Sequence, residues 1–311
     1  MFTGSIDAAR LRKSVISVPP LARRADLAID VPQNRRLLDH LRAGGVTTYL
    51  YGGNANLYNI GVTEFGTLLD MLERIVAADD WVIPSIGADY GKACDQIDFL
   101  KTRAFPTAMV LPLRFPATTK GAAHGIGLLA ERYGKPVIAY VKEEGYIEPA
   151  DLAALVKDGS VCAIKYAIVR ADPAQDAVLT AILKSVDPAM VVSGIGERPV
   201  PVHTDTFGLK AFTSGSVCVA PRLSSAILQA VARGDQETIA RLRESFIPLE
   251  DLRDKHSPLR VLHEAVRLAG IAETGPILPF LSNLDAPEIL SAIRTAARRL
   301  HEADAAAAAA A

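Results

Sequence analysis

The sequence predicts a closed parallel α/β barrel, the (β/α)8 or TIM barrel, followed by a C-terminal helical extension. Three observations carry that expectation. Short apolar runs alternate with longer amphipathic ones; eight such alternations precede residue 234; and beyond residue 236 no strand-like run remains. Half of the 311 residues are hydrophobic, enough to bury one large core. An open doubly wound sheet is the alternative that the same alternation allows.

The strands are expected at 15–18, 47–51, 82–84, 108–111, 137–140, 162–165, 190–193 and 211–213. Each has the length of a buried parallel strand and carries β-branched or aromatic residues. Helices are expected between and after them at 33–43, 64–77, 89–102, 118–132, 149–156, 172–185, 199–207 and 221–232. Leu37, Leu38 and Leu41 share one face of the first, which stops at Gly44-Gly45. Pro149 suits a first helical turn, where its missing N–H would be unpaired anyway. The 199–207 link is short for a helix. The C-terminal region reads as helices at 237–252, 259–268 and 288–300, the first broken near Pro248. The expected organisation is a barrel over 1–234, a helical region over 235–304 packed on it, and an alanine tail over 305–311 with no assigned function.

Charged residues make up 22% of the chain and the net charge is -1. That balance argues against a nucleic-acid partner and against a polybasic membrane surface. No apolar run reaches the roughly 18–20 residues that span a bilayer, and the N-terminus lacks the apolar centre of a signal peptide. A cytoplasmic protein is expected. Cys94, Cys162 and Cys218 are far apart, with no CxxC pair, and the six histidines form no HxH or HExxH. Neither a protein-built metal site nor a disulfide framework follows. The stretches His124-Gly125-Ile126-Gly127 and Gly194-Ile195-Gly196 lack the strand–turn–helix context of a dinucleotide fingerprint.

One residue breaks the pattern of buried strands. Val161-Cys162-Ala163-Ile164-Lys165-Tyr166-Ala167 is apolar apart from Lys165. A desolvated lysine loses its charge more readily and becomes a nucleophile, the preparation that Schiff-base lysines need. Lys165 falls near the C-terminal end of the sixth strand, the end at which barrel active sites are built. A lysine snorkelling from the strand end, or paired with a carboxylate, fits this run equally. The preceding strand ends in Tyr140, whose phenol can donate and accept the protons of imine chemistry. Strand two ends in Tyr51-Gly52-Gly53-Asn54-Ala55-Asn56, where backbone N–H groups can approach a carboxylate. A plain Gly/Asn turn is the other reading of that loop.

These residues resemble the dihydrodipicolinate synthase / N-acetylneuraminate lyase superfamily of class I pyruvate-type aldolases and dehydratases. The resemblance runs from Val15 to the C-terminal helices. It is carried by Ala163-Ile164-Lys165, Tyr140, the Gly52–Asn56 loop, Ser193-Gly194 and the stretch from Phe207 to Gly215. It implies that Lys165 forms an imine with a 2-oxo acid, that Tyr140 relays protons, and that Gly53 and Asn54 hold the substrate carboxylate. It also implies that the backbone of Thr213 faces the substrate, that no cofactor beyond the covalent imine is needed, and that the protein is a homo-oligomer, a dimer or a tetramer.

Three departures separate the chain from the synthases. Gly53-Asn54 stands where the family carries a Thr-Thr or Ser-Thr pair; the Asn54 amide can still bind a carboxylate. Arg114 replaces a tyrosine that synthases donate across a subunit interface. The segment Val141-Lys142-Glu143-Glu144-Gly145 is short and lacks the arginine that holds an aldehyde's carboxylate. Arg198, after strand seven, and Arg114 are the candidates to take substrate charge in their place; surface ion pairs are the competing reading for both.

The expected activity is a Schiff-base lyase, an aldolase or dehydratase, acting on a 2-oxo acid such as a 2-keto-3-deoxy sugar acid. Synthase-type condensation of pyruvate with an aldehyde is one alternative. A non-catalytic 2-oxo acid binding protein on the same barrel is another.

Overall fold

In the computed structural model, which describes residues 1–309, eight parallel strands close into a barrel in sequence order. The strands are β1 (Ile16–Ser17), β2 (Thr48–Tyr51), β3 (Trp81–Ile86), β4 (Met109–Val110), β5 (Val137–Val141), β6 (Val161–Tyr166), β7 (Val191–Ser193) and β8 (Ala211–Ser214). Every residue of the eight strands is buried. That accounts for their continuous apolar runs: one strand face fills the barrel and the other packs on the helical ring.

The helices are α1 (Ala8–Leu11), α2 (Val31–Ala43), α3 (Val62–Ile75), α4 (Tyr90–Lys101), α5 (Thr119–Tyr133), α6 (Pro149–Lys157), α7 (Ala177–Leu183), α8 (Val200–Asp205), α9 (Pro221–Arg233), α10 (Gln236–Arg243), α11 (Ile247–His256), α12 (Pro258–Leu268) and α13 (Pro287–Ala309). Side chains that stop the chain from going helical earlier set several of their starts. Asp30, Asp89, Thr118, Asp176 and Asp235 each accept the N–H three residues on, satisfying a donor that the first turn leaves free.

Two expected elements change. The helix expected at 172–185 is shortened to α7, because Asp172 closes a turn onto the N–H of Ala174 and Asp176 becomes the cap. The same Asp176 accepts from the Tyr166 hydroxyl at 2.7 Å and from Arg170 at 3.1 Å, so the loop leaving β6 is tied to the start of α7. The 237–252 helix is divided into α10 and α11, but the break lies before Pro248. The proline sits in the first turn of α11, where its lack of an N–H breaks no bond. The terminal helix runs on into the alanine run as far as Ala309, in keeping with alanine's helix propensity; Ala310 and Ala311 lie outside the described residues. Among the described residues no helix is long and apolar enough to cross a membrane.

Candidate functional site

A cavity of about 220 Å³ opens at the C-terminal end of the barrel. Lys165, Tyr140, Gly53, Asn54 and Thr213 all line it. Their elements explain why. β5 and β6 pair in parallel with Tyr140 opposite Lys165, so the two side chains emerge side by side. The Lys165 amine lies over the Tyr140 ring, 4.0 Å from its centre.

Lys165 is only 5% exposed, and among the described residues no carboxylate pairs with it. Burial, aided by the positive charge of Lys142, lowers its pKa to about 7. The lysine is therefore not snorkelling and not neutralised by an ion pair; a large fraction carries a free electron pair at neutral pH. Burial raises the Tyr140 phenol well above its ordinary value, with Tyr58 as the second cause. The phenol is held as a proton donor rather than a phenolate.

The strand-two loop keeps Gly52 for a steric reason. A Cβ there would meet Ser85 Oγ at 2.8 Å and Met109 Cε at 3.0 Å inside the barrel. Gly53 is different: a Cβ would meet nothing within 4 Å. Its missing side chain leaves open space. The Asn54 side chain is already engaged, its Nδ2 donating to the Val18 carbonyl at 3.0 Å and lashing the loop to the end of β1. One N–H of the amide expected to bind a carboxylate is thus committed to structure; its second N–H and the backbone N–H groups are the donors left to the loop. The Thr213 backbone carbonyl accepts the Gly196 N–H at 3.1 Å.

Neither expected arginine reaches the cavity. Arg198 turns outward into α11, paired with Asp251 and, through Nε, with Asp254 at 3.5 Å. Asp251 and Asp254 hold that guanidinium on α11, with Glu250 Oε2 further off at 4.0 Å. Arg114 is largely exposed, pairs with Glu143, and lines a separate cleft with Gly145 and Tyr146.

Four other polar residues line the cavity wall: Tyr58, Lys142, Arg253 and Asp254. Tyr58 belongs to the helical turn Leu57–Asn59 that follows the strand-two loop; burial pushes its pKa up to about 12. A phenol directly after a glycine loop at the catalytic end was a readable signal. Burial and the nearby Arg114 lower the Lys142 pKa. Arg253 had no local signal, because α11 lies outside the barrel and only its packing brings the residue over β7.

Solved structures share this architecture closely. The dihydrodipicolinate synthase of Oceanobacillus iheyensis aligns with a TM-score of 0.82 at 22% identity, covering 94% of this chain and 97% of that one. The chain has the dihydrodipicolinate synthase fold. A prophage protein of that family from E. coli K12, in complex with pyruvate, gives 0.77 at 19% identity, covering 92% and 98%. Among curated proteins, a probable 5-dehydro-4-deoxyglucarate dehydratase from Streptomyces coelicolor is 23% identical over 288 residues, 91% of this chain and 88% of the relative. No family model matches the chain. The resemblance carried by Lys165, Tyr140 and the strand-two loop is met by these neighbours at the level of the whole fold.

Proposed function

We propose that the protein is a divergent member of this superfamily, a class I lyase that forms an imine between Lys165 and the ketone of a 2-oxo acid. One observation carries the reading: a buried lysine, its pKa lowered to about 7, stands beside a buried phenol at the C-terminal end of the barrel, the end that barrel enzymes use. The Lys165 amine attacks C2, and the carbinolamine loses water to give the imine. The imine then takes up the electron pair left when a C3 proton departs. In a 3-deoxy acid bearing a C4 hydroxyl, that hydroxyl leaves as water, its proton supplied by a phenol. Dehydration is favoured over condensation, since the curated relative is named a dehydratase and the synthase arginine is missing.

Tyr140 shuttles protons, and Tyr58 of the same chain supplies the second phenol that the synthases borrow from a neighbouring subunit. The backbone N–H groups of Gly53 and Asn54 hold the C1 carboxylate. No cofactor is required by this chemistry. A homo-oligomer is proposed on the face that carries Phe115.

The direct test is borohydride trapping with pyruvate, followed by mass analysis of peptides. An adduct of pyruvate on Lys165 is expected, and its absence at saturating pyruvate overturns the mechanism. A non-catalytic binder would be stabilised by pyruvate without exchanging its C3 protons with solvent; exchange that depends on Lys165 rejects that reading.

A further inference from the structure

We infer that Arg253 reads a second carboxylate at the far end of the substrate, and that the substrate class is a 2-oxo diacid. The inference rests on the imine reading above, which fixes the ketone at Lys165.

Arg253 lies on α11, yet it lines the same cavity as Lys165, and its side chain is only 6% exposed. Half of its guanidinium is spoken for. Nη1 donates to the Ile195 carbonyl at 2.7 Å and to Glu250 Oε1 at 3.2 Å, and Nε donates to Asp254 Oδ1 at 2.9 Å. Nη2 is buried and has no partner among the described residues. A buried donor left without an acceptor is costly, and among acceptors a carboxylate matches a guanidinium best.

The surroundings are built to hold the group still. Gly196 has φ +95°, and a Cβ there would overlap Glu250 Oε1 and come within 2.6 Å of Arg253 Nη1. Only glycine lets the loop after β7 pass under the ion pair. Glu250 in turn accepts the Glu197 N–H at 3.0 Å, and Glu197 is buried against Ser214 and Ser224. The anchor is thus fixed to the loop ends of both β7 and β8.

Charge at the cavity wall agrees. Lys142 and Arg253 contribute two cations, Asp254 one anion, and Asp254 is also shared with Arg198. Lys165, its pKa lowered to about 7, adds a partial positive charge near neutral pH. A net positive wall, together with free loop amides for the C1 carboxylate, suits a ligand with an acidic group at each end.

The test compares two 2-oxo acids of equal length, 2-oxoadipate and 2-oxohexanoate, by the concentration that half-saturates borohydride trapping at Lys165. Pyruvate serves in each variant as the check that Lys165 is competent. The wild type is expected to capture the diacid at about a tenfold lower concentration or better, the value of one charged hydrogen bond. Arg253→Gln should bring the two acids within about twofold, and Arg253→Lys should keep part of the preference. Loss of the arginine strands Glu250 in the interior; should that variant fail to fold, Glu250→Gln/Arg253→Gln removes both charges and reads the same ratio. Equal capture by the wild type, or a diacid preference that survives the glutamine, overturns the inference. If none of the three acids forms an adduct, the imine reading has failed. Thermal stabilisation by the diacid over the monoacid, lost in Arg253→Gln, then still decides the role of Arg253.

Discussion

At the scale of single residues the proposed chemistry turns on how the charge of Lys165 is reduced. Burial is the larger cause and Lys142 the smaller, so the amine should titrate near pH 7 rather than near its ordinary 10.5. The rate of imine formation with pyruvate is expected to rise with pH and level off above about 7. Lys142→Met should move that midpoint upward, because a neighbouring positive charge is removed. A midpoint unchanged in the variant would mean that desolvation acts alone. The same displacement has a stability cost. Between about pH 7 and 10.5 the unfolded chain holds a proton that the folded chain has released, so folding is weakened as pH falls across that range. Lys165→Met should therefore raise Tm at pH 7 while abolishing trapping, as expected of a site that trades stability for reactivity. Gly53 makes a contrasting prediction. With open space where its Cβ would lie, Gly53→Thr should fold with Tm close to wild type, and should weaken capture of long 2-oxo acids more than capture of pyruvate.

At the scale of elements, the loop after β7 and helix α11 act as one unit through Glu197 and Glu250. Burial, then the nearby Glu250, raises the Glu197 pKa to about 8 from an ordinary 4.5. The folded state holds this proton where the unfolded state has lost it, so stability is fullest below about pH 4.5 and declines as pH rises to about 8. Glu197→Gln should remove that slope: the Tm difference, variant minus wild type, should grow from pH 5 to pH 8. A flat difference would mean that the carboxyl is ionised in the fold. This unit also marks the limit of what the sequence discloses. Lys165 and Tyr140 are legible because each is a single polar residue at the end of an apolar run, and adjacent strands of a barrel must bring their ends together. Arg198 follows the seventh strand by the same logic, yet α11 offers it Asp251 and Asp254. Arg253 takes the place at the cavity wall from 55 positions further along the chain. That exchange depends on how an outer helix docks, and hydrophobic periodicity gives the helix without its neighbours. The break between α10 and α11 and the shortening of α7 are of the same kind: capping by a specific aspartate, or a proline's place in a turn, moves a boundary that periodicity leaves open.

At the scale of the whole molecule, a depression larger than the candidate site opens elsewhere on the surface. About 650 Å³ in volume, it is lined by Leu111, Leu113, Leu128, Leu129 and Tyr146, and Phe115 stands on its rim, 87% exposed. An exposed phenylalanine beside an apolar groove is unfavourable in water, and about 2–3 kcal/mol is recovered when such a ring is buried. Were a two-fold axis to bring the same patch of two copies together, the phenylalanine of each would enter the groove of the other, and the gain would be counted twice. The face also carries the Arg114–Glu143 pair, which places the residue at the position of the synthase tyrosine beside this groove rather than in the Lys165 cavity. Light scattering on purified protein should therefore give a mass of at least two chains. Phe115→Glu sets two like charges against two apolar grooves across the axis and should shift the mass to one chain while leaving the circular dichroism of the barrel intact. A wild-type monomer, or a Phe115→Glu variant that keeps the wild-type mass, would move the association to another face. It would also leave Tyr58, already inside the cavity of its own chain, as a second phenol that no assembly is needed to supply.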